Sequence, residues 1–79
     1  MPQQTFYFSC GFKPGRGALL KADVPRPARN GPDAIRSAER MATQRVGAAA
    51  YSVAGDPETN DFDEIVVLFR AGRVPAEFE

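Results

Sequence analysis

The sequence predicts an α+β fold of order ββαββ, with two hairpins forming a four-stranded sheet and one helix packed on one face. Three features of the chain point there. Two alternating segments are joined by a Pro-Gly turn, one amphipathic stripe carries capping chemistry at its start, and a short run near the end is apolar at every position.

Residues 5–12 alternate cleanly. Phe6, Phe8, Cys10 and Phe12 point one way, and Thr5, Tyr7, Ser9 and Gly11 point the other. Period two with aromatic enrichment marks a half-buried strand. In Lys13-Pro14-Gly15-Arg16 the proline presets φ and the glycine accepts a positive φ, which makes a turn. Residues 18–24 alternate again, with Ala18, Leu20, Ala22 and Val24 set against Leu19, Lys21 and Asp23. Together these segments form the first hairpin.

Pro25, Pro27 and Pro32 bracket a stretch expected to be an extended connector rather than regular strand or helix interior. A helix follows. Asn30 or Gly31 caps it, Pro32 suits its first turn, and Asp33 favours the positive end of its dipole. Ile35, Ala38, Met41, Ala42, Val46 and Ala49 share one stripe opposite Arg36, Arg40, Thr43 and Gln44, with Gly47 as the stop. The stripe is expected to cover the sheet face that carries Phe6, Phe8 and Phe12.

Residues 48–53 predict a third strand, and Gly55–Asp61 a polar loop. Ile65-Val66-Val67-Leu68-Phe69 is apolar at every position, the pattern of a strand covered on both faces. Strand 64–70 is therefore expected in the middle of the sheet, beside strand 5–12. Gly72 and Pro75 end it.

A chain of 79 residues bounds one domain, residues 1–79. So short a chain builds a limited core, and association with a second copy is one way to enlarge it. There is one cysteine and no histidine, so the chain has no internal disulfide and lacks the ligands of a structural zinc site. A single unpaired cysteine fits a reducing, cytoplasmic compartment. Met1-Pro2-Gln3-Gln4 has neither the basic nor the apolar stretch of a secretory leader.

Candidate chemistry is sparse. Ser9-Cys10-Gly11 lacks a histidine to activate a nucleophile, and Cys10 shares the alternating face of three phenylalanines. The acidic stretch Asp56–Glu64 fails the calcium-loop spacing, with Asp61 where glycine is needed and Val67 where glutamate is needed. Gly11, Gly15 and Gly17 lack the Gly-Lys-Ser/Thr of a phosphate loop. The reading is therefore non-enzymatic, with no cofactor and no metal.

Two binding surfaces remain. The sheet face away from the helix is expected to show Tyr7, Leu19 and one set from strand 65–69, and to bring two copies together as a homodimer. The alternative is a nucleic acid or phosphate ligand held by Lys21, Arg26, Arg29, Arg36 and Arg40. Residues 1–45 hold eight Lys/Arg against three Asp/Glu, a balance of +5, and residues 46–79 hold two against seven, a balance of −5. Mutual cancellation of the two halves argues against the polyanion.

Overall fold

A computed structural model describes residues 4–17 and 19–78. Met1–Gln3, Ala18 at the start of the expected second strand, and Glu79 lie outside the described residues. The expected α+β architecture is present, one helix against an antiparallel sheet. The elements are β1 (Gln4–Pro14), β2 (Leu20–Ala22), β3 (Arg26–Ala28), α1 (Gly31–Ala42), β4 (Gly47–Asp56), β5 (Asp61–Phe62) and β6 (Val66–Gly72), followed by one 3-10 turn, Ala76–Phe78.

Among the described residues six strands take the place of four because each outer strand is broken in two. β2 and β3 both pair with β1, and β5 and β6 both pair with β4, so β1 and β4 form the centre. Their ladder runs from Gln4 opposite Gly55 to Phe12 opposite Gly47. β3 falls within the proline stretch expected to be irregular. An outer strand tolerates Pro27 there, opposite Phe8, because only one of its sides needs a complete ladder.

β6 does not sit in the middle of the sheet beside β1. It lies at the edge, against β4. Its apolar run does face both ways, but through a bulge. The register slips between Ala50 and Tyr51, so that Leu68 and Phe69 both pack on the helix side while Val67 packs on the other.

Helix α1 starts as expected. Asn30 is the N-cap, its side chain accepting from the Asp33 amide at 2.8 Å, and Pro32 sits in the first turn. It ends earlier than the stripe suggests. Thr43 is the C-cap, its hydroxyl donating to the Arg40 carbonyl at 2.7 Å, and Val46 lies beyond the helix. Gly47 opens β4, because a Cβ there would collide with the backbone carbonyl of Arg73. Gly72 turns the chain out of β6 at φ 68°, a conformation that favours glycine.

The helix covers the opposite sheet face from the one expected. Ala34 and Ala38 pack on Ala48 and Ala50, and Ser9 is fully buried on that same face. Small side chains in both layers let the helix approach closely. The bulkier alternation of Phe6, Phe8, Cys10 and Phe12 faces away. There, Val74 and Phe78 from the C-terminal segment, together with Leu20, pack on a second core of Cys10, Phe12 and Ala49. Among the described residues no helix is long and apolar enough to cross a membrane.

Candidate functional site

The face away from the helix carries a row of rings. Phe62 meets Phe6 with centroids 6.2 Å apart, and Phe8 stacks on Tyr51 at 5.5 Å. Tyr51 meets Phe78 at 5.2 Å, and Phe78 meets Phe12 at 5.5 Å. These separations suit offset and tilted ring pairs. The row is closed at one end only. Phe12 and Phe78 are buried, whereas Phe6, Phe8, Tyr51, Val53, Ile65 and Val67 are half-exposed and Phe62 is exposed. At the closed end, residues 70–76 and Leu19–Leu20 from the opposite edge line a hollow of about 850 Å³, where the sheet curls over its aromatic side.

An apolar sheet face thus lacks a helix, as expected, but its residues differ from those expected. Tyr7 belongs to the helix side, half-buried near Gly31 and Leu68. Leu19 is 71% exposed in the turn before β2, lining the hollow rather than the ring row. The alternation of residues 5–12 already carried the right set, Phe6 and Phe8, on the face assigned to the helix.

The cationic residues gather elsewhere. Arg29, Arg36 and Arg40 line a groove of about 540 Å³ with Pro27, Ala28, Asp33 and Ser37. Asp33 pairs with Arg29 at 3.4 Å and with Arg36 through a hydrogen bond, which fixes both guanidinium groups to the first helical turn. Arg40 remains exposed in the last turn of α1. Arg26 lies on β3 beside a neighbouring hollow lined also by Asp23, Met41 and Arg45. Lys21 stands apart on β2, opposite Lys13.

One cluster has no signal in the sequence pattern. Asp23 accepts from Arg45 Nε at 2.7 Å and pairs with Lys13 Nζ at 3.3 Å. The Arg45 hydrogen bond, aided by Lys13, holds the Asp23 carboxyl below the usual carboxylate range. The three residues are 10 and 22 positions apart, and only the fold brings them together over Gly11. The Cys10 thiol donates to the Asp23 carbonyl at 3.2 Å. Burial, reinforced by the Asp23 charge, pushes that thiol up. A raised, buried thiol is a poor nucleophile.

Among the described residues no group of three or more His, Cys, Asp or Glu side chains is placed to hold a metal ion. Compared with protein-family models, with curated protein sequences and with solved structures, the chain matches none.

Proposed function

We propose that the protein is a non-enzymatic interaction domain that associates with a second copy of itself through its open aromatic sheet face. The observation that carries this reading is the pair of ring contacts Phe62–Phe6 and Phe8–Tyr51 on one sheet face, which among the described residues is covered by Val74 and Phe78 at its Phe12–Tyr51 end and open toward Phe6 and Phe62. Contiguous apolar surface of this kind marks contact sites on small domains, and two such faces pack about 10 Å apart in a sheet-on-sheet interface. Sedimentation equilibrium tests it. A dimer is expected at tens of micromolar, and Phe62→Ser, at an exposed position, weakens it while the circular dichroism spectrum is unchanged. A wild-type chain that stays monomeric throughout this range ends the reading.

A second reading is binding of a phosphate-bearing ligand in the Arg29–Arg36–Arg40 groove. It is favoured by the convergence of three guanidinium groups and the Ser37 side chain on one hollow. Guanidinium groups match phosphate oxygens in fork geometry. Isothermal titration with inorganic pyrophosphate at low ionic strength reads it. Heat that vanishes in Arg40→Ala supports it, and no heat in the wild type removes it.

A further inference from the structure

We propose that the cleft between β3 and α1 takes a nucleoside phosphate, with its phosphates at the Arg29–Arg36–Arg40 end and its base on Val24 and Pro25 at the other. This rests on the phosphate-binding reading and names the class of ligand for that groove.

The arginine groove continues into a second hollow of about 650 Å³, and Pro27 lines both. Both walls run on from one to the other. On the strand side, Ala28 and Arg29 give way to Arg26, Pro25 and Val24. On the helix side, Arg36, Ser37 and Arg40 give way to Met41 and Gln44. At a rise of about 1.5 Å per residue, the helix wall from Asp33 to Met41 is roughly 12 Å long, more than one phosphate group needs.

The two ends differ in chemistry, and the difference selects the ligand. At the first end, three guanidinium groups and the Ser37 side chain stand against a single carboxylate, Asp33. Arg40 there, and Arg26 in the second hollow, pair with no carboxylate among the described residues. Their charge is available to an anion. At the second end, Asp23 accepts from Arg45 Nε at 2.7 Å and offsets its charge. The rest of that lining is largely apolar, with Val24, Pro25 and Met41. Val24 is 83% exposed, a large apolar side chain left uncovered beside the hollow. Apolar lining with a few polar groups suits a flat ring, and the Gln44 amide can both donate to and accept from a base edge. A chain of phosphates alone would leave the apolar end unused and set an oxyanion against Asp23. A nucleoside phosphate places each half of its structure against its complement.

Isothermal titration with ADP and with inorganic pyrophosphate, metal-free and at low ionic strength, separates the two ends, because ADP carries the same diphosphate with adenosine attached. ADP is expected to bind at least roughly tenfold more tightly than pyrophosphate. The double variant Val24→Ser with Gln44→Ala is expected to lose that gain and to keep its pyrophosphate affinity. Both positions are exposed, and an unchanged circular dichroism spectrum confirms the fold. Arg40→Ala is expected to weaken both ligands. ADP that binds no more tightly than pyrophosphate overturns the inference and leaves the phosphate reading standing. No heat from either ligand ends both. A gain that survives in the double variant, or that disappears in Phe62→Ser, puts the base elsewhere and overturns the inference as well.

Discussion

Ser9 and Cys10 are neighbours on β1 and point into the two different cores. Ser9 is fully buried under α1, and its hydroxyl has no hydrogen-bond partner among the described residues. Burying an unpartnered hydroxyl costs roughly 1–3 kcal/mol, so Ser9→Ala is expected to raise stability by about 1 kcal/mol in urea unfolding. Cys10 is 3% exposed, as the alternation of residues 5–12 predicts, although its cover is Phe12, Ala49 and Phe78 rather than the helix. Burial pushes Cys10 up and does the same to Tyr51. Each raised group keeps its proton in the folded chain after the unfolded chain has lost it. Their stabilising contribution is therefore complete below the unfolded values and fades as pH climbs through the folded ones. Melting temperature is expected to decline above about pH 8.5, and less steeply in Cys10→Ala. Which residues share a face was thus legible from period two, whereas burial and the choice of cover were not: Ser9 and Gly11, opposite the phenylalanines, are buried as Cys10 and Phe12 are, and Phe6 and Phe8 are only half-buried. Large apolar side chains suggest the helix side. In this fold the helix sits on alanines, because only small residues allow its backbone to approach the sheet.

At the scale of elements, capping chemistry was the most legible feature. Asn30 and Pro32 start α1 where their side-chain chemistry requires, and Asn30→Ala is expected to cost about 1 kcal/mol, read as a lowered urea midpoint. The helix end was obscured because Val46 continues the apolar stripe past the point where Thr43 closes the last turn. Gly47 is required by a close approach of two backbones rather than by a helix stop. Gly47→Ala is expected to cost roughly 1–3 kcal/mol through overpacking against Arg73, measured the same way. β6 misled for another reason. A run apolar at every position reads as a central strand, but a bulge at an edge also turns consecutive residues to one face, and no residue type announces a bulge. The Lys13–Asp23–Arg45 cluster was invisible for a related reason, since its spacing follows no period.

At the scale of the whole molecule, the acidic hairpin and the Lys13–Lys21 pair stand at opposite ends of β1. β1 spans about 30 Å, with Gln4 beside the acidic hairpin Asp56–Asp61 and Lys13 beside Lys21 at its far end. The molecule extends 43 Å along its longest axis, several times the screening length of about 10 Å at 0.1 M salt. At that separation the basic end is expected to keep its own field toward a polyanion. Weak, strongly salt-dependent retention of single-stranded oligonucleotide is expected, and replacing both Arg26 and Arg40 with alanine should flatten the log–log salt slope by about 1.4. A slope unchanged by the double substitution would place the contact elsewhere. The long ladder between β1 and β4 has a kinetic consequence as well. Each hairpin closes on nearby residues, but this central seam joins Phe12 to Gly47 and Gln4 to Gly55, across the whole helical segment. Loop-closure entropy delays such a seam relative to the hairpins. We therefore expect the two hairpins to close before the seam in refolding, with β4 offering its vacant side to any β1 within reach. In concentrated solution that β1 can belong to another molecule. Strand exchange then competes with folding in proportion to protein concentration, and dilution favours the correctly closed chain.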